Sequence, residues 1–482
     1  MAYEARTVLS TLSQILEDSA LSSSNLNDGL AFMRLYARLN WDNISGHFGN
    51  DELELAFWEK WRDRDLGKSS LSLPKVRFLH VATQTYAQGG HSRLLWQMWR
   101  GLQDHGSQAL LLTNERKKNH VPDWVGAYTS LTGRAASRVA DIVAAGQSAD
   151  HILLHIHPDD VVAAFAARIL RDQGKSVLFV NHADHVFNVG PGAADVVLEI
   201  CMTGWKTTRD RRAARAQSFM GIPVVKSGSQ DTLREFDRSG PIVSMGGGGK
   251  FTPSDDLSFP RFLKALLARV PNDVVLIGPS EREPWWKELT DAFPGRVHLR
   301  GPLPPEEVDP ILQSASCYID SFPLDGGTAY PQALAVGLPC FAPNEGNASG
   351  VSPSEELRVK GEDKLVEVVA DYLSGGPYPF DLADVRGRLF RDFSETAVCE
   401  RVLQAAAGEP VPPLPYLVPL GMRDSDYNAR RWAKENHVNL PKRIWRDLSL
   451  KARLDFAARL QQAELPQAVK KTLYGQLLKC WV

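Results

Sequence analysis

The chain has 482 residues, more than one hydrophobic core usually holds, so two large domains with accessory segments are expected. Hydrophobic residues make up 43% and charged residues 23%, the composition of an ordinary soluble globular protein. The formal net charge of −2 excludes a globally basic surface of the kind that binds nucleic acid. The five cysteines form no C-x-x-C pair, which argues against a zinc site and against a disulfide framework.

The start of the chain carries Glu4, Arg6, Glu17 and Asp18 and no long apolar segment, so it does not resemble a signal peptide. No segment reaches the roughly 18 uninterrupted apolar residues that a membrane-spanning helix needs. The protein is therefore predicted to be cytoplasmic. Peripheral contact with the inner face of a membrane stays open as an alternative.

Residues 1–70 have apolar positions three and four apart, as in "LAFMRLYARLNWDNI", which predicts helices. A linker, 69–75, follows. The pattern then changes to strand-like runs separated by helical ones: "KVRFLHVAT", "QALLLT", "HILLHIH" and "KSVLFVNHA" as strands, "SRLLWQMWRGLQDHG" and "DDVVAAFAARILRDQG" as helices. This alternation predicts right-handed βαβ units and a parallel sheet with helices on both faces.

The same alternation restarts at "PIVSMGGGGKFTP" (241–253) and continues through four more strand-like runs. The predicted fold is α/β, with two facing Rossmann-like doubly wound domains and helical flanks. Its predicted divisions are a helical extension, a first Rossmann-like domain, a second Rossmann-like domain and a helical C-terminal region: 1–70, 71–235, 236–380 and 381–482. Ligands in such sheets bind beyond the carboxyl ends of the strands, so functional residues are expected in the loops that follow strands.

One such loop is "PLDGGT" (323–328), between the strand "CYIDSF" and the helix "AYPQALAVG". Gly326 and Gly327 allow the backbone to approach a ligand closely, and Thr328 is a natural N-cap residue. A helix N-terminus favours an anionic group such as phosphate. The alternative is an ordinary strand-to-helix turn with a good cap.

A second loop, "SMGGGGKFTP" (244–253), has four consecutive glycines followed by Lys250. So many glycines are costly in chain entropy and indicate a backbone that wraps closely around a ligand. A lysine facing a helix N-terminus across a cleft would hold a diphosphate. The loop is not a P-loop, because Phe251 follows the lysine. A flexible loop with a solvated lysine is the alternative.

Residues about 75–375, and above all "KFTP" followed by "RVHLRGPLPPEEVDPILQSASCYIDSFPLDGGTAYPQALAVGLP", resemble the GT-B glycosyltransferases. The C-terminal half is similar to the group of O-GlcNAc transferases and bacterial protein glucosyltransferases. The resemblance implies that Lys250, Gly327 and Thr328 bind the donor diphosphate, while the loop from Arg300 to Leu303 borders the base. Gln332 stands where the family normally has an acidic residue for the ribose hydroxyls, which leaves the nucleotide and sugar preferences open.

The first domain supplies candidate catalytic residues. His91 follows Gly89 and Gly90 at a strand-to-helix turn and could orient the donor or act as a base, because imidazole titrates near neutral pH. Its alternative is a helix-capping histidine. His182, Asp184 and His185 follow another strand, where one of them could take the acceptor proton. Their H-x-D-H spacing also resembles a metal site, but GT-B enzymes generally need no metal, so neither a metal nor a cofactor is predicted. A purely structural role is the other alternative.

The resemblance implies transfer of a sugar from a nucleotide diphosphate sugar to a glycan, lipid-linked glycan or protein acceptor. Retaining families often carry two glutamates at the positions of Leu324 and Gln332, so inversion is favoured. A catalytically degenerate GT-B domain that binds a glycan or a partner, and a nucleotide-sugar epimerase, stay open as alternatives. A phosphorylase would need a far longer chain.

Two basic groupings fit either solvated helix faces, the preferred interpretation, or contact with an acidic acceptor or a membrane surface. The first lies within 205–217 and consists of Lys206, Arg209, Arg211, Arg212 and Arg215. The second lies in the C-terminal tail, where tryptophans are interleaved with the basic residues: Arg430, Arg431, Trp432, Lys434, Lys442, Arg443, Trp445 and Arg446.

Overall fold

A computed structural model describes most of the chain: residues 2–43, 45–67, 69, 71–87, 89–114, 119–126, 128–225, 236–254, 256–344, 350–351, 353, 355–417, 438–441 and 444–479. Of the basic residues and tryptophans named in the C-terminal tail, Trp445 and Arg446 are among these, and the others lie outside the described residues.

The first sheet has seven strands, all parallel, in the order β3-β2-β1-β4-β5-β6-β7. Its strands are β1 (Val76–Ala82), β2 (Gln108–Leu112), β3 (Thr129–Ser130), β4 (Ala149–His155), β5 (Ser176–Asn181), β6 (Val196–Glu199) and β7 (Gln217–Phe219). Phe78 of β1 pairs with Gln108 on one side and His151 on the other. The long strands are apolar and buried, as a parallel sheet covered on both faces requires.

Helices cover both faces of this sheet. They are α4 (Gly90–Gly101), α5 (Ala135–Gln147), α6 (Val161–Asp172) and α7 (Met202–Arg211), preceded by α1 (Ala2–Ser22), α2 (Leu26–Asp42) and α3 (Asp51–Trp61). Asp160 caps α6 by accepting a hydrogen bond from the Ala163 N–H at 3.1 Å. An aspartate thus fixes the start of this helix.

The second sheet has six parallel strands in the order β10-β9-β8-β11-β12-β13. They are β8 (Ile242–Met245), β9 (Val274–Ile277), β10 (Val297–Gly301), β11 (Cys317–Ile319), β12 (Cys340–Pro343) and β13 (Arg358–Val359). Its helices are α8 (Phe259–Leu267), α9 (Lys287–Ala292), α10 (Pro305–Ser314), α11 (Ala329–Val336), α12 (Glu362–Leu373) and α13 (Leu382–Phe393).

After α13 the chain returns to the first domain. Helix α14 (Glu395–Ala406) packs against α4, and Gly101 permits this close approach, because a Cβ there would lie 2.3 Å from Cys399 Sγ. The last helices, α15 (Leu450–Gln462) and α16 (Gln467–Leu478), share one hydrophobic core with α1–α3 and the first sheet. Within that core Phe456 lies 5.1 Å from Trp445 and 5.7 Å from Phe32, measured between ring centroids. Both flanks of the chain are thus part of the first domain's core.

The basic grouping at 205–217 is largely paired within the fold. Helix α7 ends at Arg211, and Arg212 donates hydrogen bonds to the carbonyls of Phe48, Asp184 and Val186 at 2.8–3.1 Å. Other side chains of the group form ion pairs with neighbouring carboxylates: Lys206 and Arg209 with Asp210, and Arg215 with Asp195. The helix therefore ends at Arg211, and Arg212 and Arg215 do not belong to the solvated helix face that the sequence suggested.

Candidate functional site

The strand order of each sheet reverses at one point, between β1 and β4 in the first sheet and between β8 and β11 in the second. Loops that leave neighbouring strands on either side of such a point diverge and leave a crevice at the carboxyl edge of the sheet. The loop after β1 contains Gly89 and Gly90, and the loops after β8 and β11 contain Lys250 and the turn 323–328. The candidate residues of both domains therefore lie at these crevices.

The turn after β11 is held by Asp320, the residue that follows the strand. Its Oδ1 accepts hydrogen bonds from the N–H groups of Ser321 at 3.0 Å and Gly326 at 2.9 Å. Gly326 has to be glycine here, because a Cβ would lie 2.4 Å from that same oxygen. One buried carboxylate thus fixes both ends of the glycine turn.

The Asp320 carboxyl is 1% exposed. Burial raises its pKa to about 7, and although nearby Arg358, Lys250 and the Gly326 N–H favour the ionised form, Asp325 opposes it. Arg358 lies 3.9 Å away from the other carboxylate oxygen, Oδ2. The charge balance beneath the turn therefore depends on two cations, Arg358 on strand β13 and Lys250 in the loop after β8.

Lys250 reaches this turn from the loop after β8. Its ammonium donates a hydrogen bond to the carbonyl oxygen of Asp325, and its own carbonyl accepts one from the Leu324 N–H at 3.3 Å. The side chain is half-buried. A Cβ added at Gly327 would lie 3.6 Å from Lys250 Nζ, so the ammonium stands directly beside the turn.

The N–H groups of Gly327 and Thr328 have no hydrogen-bond partner among the described residues. Gly327 adopts a left-handed conformation, with φ +56°, which a residue with a side chain disfavours. These two N–H groups precede α11, where the helix dipole contributes partial positive charge. Together with the Lys250 ammonium they form a small cationic region suited to phosphate oxygens.

The predicted capping role of Thr328 is wrong. Thr328 occupies the N-cap position of α11, but its backbone is helical, with φ −73° and ψ −20°, and its side chain makes no capping hydrogen bond. A capping side chain needs an extended backbone at that position to reach back to the helix. The Thr328 side chain instead faces the first domain: a Cβ added at Gly90 would lie 3.2 Å from its Oγ1. The two glycine turns thus meet across the cleft.

A second contact across the cleft joins Arg93 of α4 to Gln332 of α11. The Arg93 guanidinium donates a hydrogen bond to Gln332 Oε1, and Gln332 Nε2 lies 3.3 Å from the Asp309 carboxylate of α10. Burial lowers the pKa of Arg93, and the charge of Asp309 partly offsets this. Arg93 was not predicted from the sequence, where its only signal is its place three residues after the glycine pair.

The segment from Arg300 to Leu303, which starts with the last two residues of β10, lies at the same edge of the second sheet. It is tied to the loop after β9, because the Gly278 N–H donates to the Gly301 carbonyl at 2.7 Å and the Gly301 N–H donates to the Pro279 carbonyl at 2.8 Å. Arg300 is exposed, whereas Leu303 is half-buried against the domain core. The backbone of this loop is therefore fixed by its neighbour.

His91 begins the first turn of α4 and is largely enclosed by other rings. Its Nε2 lies 3.0 Å from the His155 carbonyl oxygen, so Nε2 carries the proton and donates it. Burial lowers the pKa of His91, which favours the neutral ring. The other nitrogen, Nδ1, has no hydrogen-bond partner among the described residues and keeps a free lone pair.

His182 follows β5, and its ring centroid lies 4.3 Å from that of His91. Burial, with His91 and His157 nearby, holds the pKa of His182 well below its usual value. His157 lies 5.4 Å from His91 and stacks on Tyr86 at 6.0 Å, between centroids. The structure therefore brings two predicted histidines together and adds His157 and Tyr86 to them.

Asp184 and His185 belong to a different set of contacts. Burial opposes ionisation of Asp184, but hydrogen bonds from His185 and Cys201, at 3.3 and 3.0 Å, together with the charge of Arg212, lower its pKa. Its carboxylate therefore contacts Cys201 at the start of α7 rather than the His91 ring. His185 is 43% exposed in its side chain.

The described residues also bear on two other features, metal sites and membrane-spanning helices. No group of three or more histidine, cysteine, aspartate or glutamate side chains in these parts of the chain is arranged to hold a metal ion. No helix there combines the length and the apolar character that crossing a membrane would require.

No family model matches the chain, and no curated protein matches its sequence. Solved structures match its fold. The apo form of WaaB, a lipopolysaccharide outer core galactosyltransferase, is 14% identical with a TM-score of 0.50, over 69% of this chain and 99% of WaaB. A mutant O-GlcNAc transferase of Thermobaculum terrenum is 14% identical with a TM-score of 0.51, over 78% of this chain and 76% of the transferase.

A UDP-GlcNAc 2-epimerase of Methanocaldococcus jannaschii matches with 10% identity and a lower TM-score of 0.45, over 69% of this chain and 99% of the epimerase. At such identities the likeness establishes the architecture. The predicted resemblance to GT-B proteins and the predicted fold class are confirmed: the chain has the GT-B fold, two Rossmann-like domains that face each other across a cleft.

Proposed function

We propose that the protein is a GT-B glycosyltransferase that transfers a sugar from a nucleotide diphosphate sugar to a glycan, a lipid-linked glycan or a protein side chain. The reaction inverts the anomeric configuration and uses no metal. Support for a transferase comes from the arrangement of charge in the cleft, and a cationic region between two domains suits a leaving diphosphate.

The observation that carries the proposal is the position of Lys250 beside the turn 326–328. The Lys250 ammonium and the N–H groups of Gly327 and Thr328 lie close together at the mouth of α11, and neither N–H group has a partner among the described residues. Gly90 of the opposite domain lies against the Thr328 side chain. A diphosphate is the ligand that such a set of donors binds best, because each donor is charged or lies at a helix N-terminus.

The acceptor side of the proposal rests on the histidines. Neutral His91 has a lone pair at Nδ1, which is buried and has no partner among the described residues. We assign His91, with His182 beside it, as the base for an acceptor hydroxyl that reaches Nδ1 when the cleft opens. Asp184 and His185 stay candidates of lower rank because their contacts are with α7. Gln332 lies on the first turn of α11, in reach of Arg93, and we assign it to the ribose hydroxyls.

The test starts with binding. Thermal unfolding is measured with UDP, GDP, dTDP and CMP, and the nucleotide that stabilises the protein most identifies the donor class. The corresponding sugar nucleotides are then incubated with the protein in EDTA, and release of nucleoside diphosphate is followed. Slow hydrolysis of one donor is expected, since water replaces the missing acceptor, and NMR of the first-released sugar shows whether the anomeric centre is inverted.

Three alternative outcomes would each contradict part of the proposal. No stabilisation by any nucleotide supports a catalytically degenerate domain. Recovery of a donor with one inverted ring carbon and no diphosphate release supports an epimerase. Release that stops in EDTA and returns with a divalent cation contradicts metal independence.

A further inference from the structure

A polar cavity of about 530 Å³ lies at the carboxyl edge of the first sheet, outside the diphosphate region. Several separate parts of the chain line it: the beginning of α2, the ends of the loops after β1, β2 and β4, the starts of α5 and α6, and the segment just before α15. Among its lining residues are four arginines and four aspartates: Arg34, Arg134, Arg138 and Arg446; Asp28, Asp159, Asp160 and Asp447.

All four carboxylates of this cavity are engaged by the protein. Asp160 accepts hydrogen bonds from the Thr83 and Thr113 hydroxyls, and Asp28 accepts two from Ser449, through its N–H and its hydroxyl, each at 2.7 Å. The other two carboxylates pair with one guanidinium: Arg34 lies 3.2 Å from Asp159 and 3.6 Å from Asp447. The negative charge in the wall is therefore already neutralised or hydrogen-bonded.

Two of the four arginines, unlike these carboxylates, make no such contacts with the described residues. The guanidinium groups of Arg134, just before α5, and Arg446, just before α15, have no hydrogen bond or ion pair with any described residue. Because the carboxylates are satisfied, these two cations are the charges that an incoming ligand meets. The cavity consequently favours an anionic group at its rim.

A second cavity, of about 440 Å³, adjoins the first and lies between α1 and α15. The two share Asn25, Asp28 and Ser449 in their walls, and the second adds the hydroxyls of Ser19, Ser22 and Ser23. We call these two adjoining cavities the trough, and hydroxyl, amide and carboxylate groups make up much of its lining. Such a lining matches a chain of hydroxylated rings better than an apolar molecule.

The trough also approaches the histidines of the cleft. Burial raises the pKa of Tyr86, and the charge of Asp159 in the cavity wall raises it further, so these two side chains are close in space. Tyr86 Oη lies 3.4 Å from His157 Nε2, and the His157 ring packs against His91. Tyr86 and His157 therefore link the cavity wall to the proposed base.

We infer that this trough binds an acidic oligosaccharide, the acceptor of the transfer reaction, with its carboxylate or phosphate group held by Arg134 and Arg446. The identification of the ligand as the acceptor rests on the proposed function. The binding of an acidic saccharide rests on the trough alone.

Isothermal titration calorimetry tests the inference with four probes: a galacturonic acid trisaccharide, glucose 1-phosphate, neutral maltotriose and inorganic phosphate. At least one acidic saccharide should bind ten times more tightly than both maltotriose and phosphate. The double variant Arg134→Ala/Arg446→Ala should lose at least about tenfold of that affinity, because each arginine supplies charged hydrogen bonds. The control Arg269→Ala/Arg282→Ala removes two exposed arginines of the other domain and should change nothing.

Which acidic saccharide binds distinguishes a carboxylate ligand from a phosphate ligand. The inference is overturned if neither binds more tightly than the neutral and inorganic probes, or if the double variant binds like the wild type. Thermal shift with nucleotides on the same samples keeps the two proposals apart. Nucleotides should stabilise the double variant as much as they stabilise the wild type. If the wild type binds an acidic saccharide but no nucleotide, only the assignment of the donor site is contradicted.

Discussion

At the scale of single residues, Asp320 is the side chain on which the glycine turn after β11 depends. It is buried, and its Oδ1 holds the N–H groups of both Ser321 and Gly326. A buried N–H that loses its acceptor costs about 1–3 kcal/mol, more than the bond itself contributes, because water cannot replace the acceptor.

Asp320→Ala should therefore lower the free energy of unfolding by about 2–4 kcal/mol. Asp320→Asn keeps an oxygen that can accept both bonds, so we expect less than half of that loss. Urea unfolding of the two variants measures the difference. Equal losses in both would mean that the carboxylate charge, rather than the two hydrogen bonds, stabilises the turn.

The buried histidines make stability depend on pH. His80 Nε2 donates to Gln108 Oε1 at 2.9 Å, and its Nδ1 accepts from His155 Nε2 at 3.1 Å. Burial lowers the pKa of His80 to about 4 from its ordinary 6.5. Between these two pH values the unfolded chain binds more protons than the folded one, so the free energy of unfolding falls as the pH falls from 6.5 towards 4.

We expect His80 to contribute a loss on the order of 2 kcal/mol between pH 7 and pH 5. His80→Gln removes this titrating group, so urea unfolding of the variant should depend less on pH over that range than unfolding of the wild type. His47→Gln removes an exposed histidine and serves as the control. Parallel pH profiles for the wild type and His80→Gln would contradict the account.

Some residues of the candidate site in the cleft could be predicted from the sequence, and others could not. The positions of Lys250 and of the glycines follow from their place after apolar strands, and the structure puts them side by side. The N-cap prediction for Thr328 failed because residue preference says nothing about the local backbone, which is helical at that position. Arg93 was missed because its partner, Gln332, lies 239 residues away in the chain.

At the scale of elements, the meeting of two glycine turns is the main feature. Gly90 begins α4, and Thr328 directly precedes α11 on the other domain. Gly90 faces Thr328 closely, since a Cβ added at Gly90 would lie 3.2 Å from the Thr328 hydroxyl oxygen. A larger side chain at this point separates the domains without straining its own backbone, because φ of Gly90 is not positive.

Gly90→Leu should reduce donor hydrolysis at least tenfold, because hydrolysis requires the domains to close around the donor, while nucleotide affinity changes less than threefold. The reason for this difference is that Lys250 and the turn lie on one domain. Calorimetry gives the affinity and diphosphate release gives the rate. Gly387→Leu, at an exposed glycine with open space around it, is the matched control. A large loss of affinity in Gly90→Leu, with an unchanged rate, would reverse this assignment.

Most strands were predictable as elements, and four were not. The strand-like runs named in the sequence correspond to β1, β2, β4, β5 and, in chain order, the first five strands of the second sheet. Some of these have only three or four residues, but each lies in a longer apolar run. The strands β3, β6, β7 and β13 were not predicted. Two of them, β3 and β13, have two residues each, too few to carry a pattern.

At the scale of the whole molecule, the flanks complete the first domain. Residues before β1 and after α14 contribute to a single core, and Ser449 caps α15 while it also binds Asp28 of α2. The alternation of strands and helices along the chain predicted both sheets. It could not predict that the C-terminal helices pack on the N-terminal ones, because contacts between the two ends leave no periodic signal in either.

The central claim concerns both domains: a lysine and a helix N-terminus on one, closed by a glycine turn on the other, exist to grip a diphosphate. The direct test compares the affinities of the best-binding nucleoside diphosphate and its monophosphate for the wild type, Lys250→Ala and the control Lys287→Ala, an exposed lysine of the same domain.

Lys250→Ala should weaken diphosphate binding by about 1.5–3 kcal/mol, roughly 10- to 150-fold, with a smaller loss for the monophosphate and none in Lys287→Ala. An unchanged diphosphate affinity in Lys250→Ala would contradict the account, because the ammonium would then contribute nothing to the ligand that it is proposed to hold.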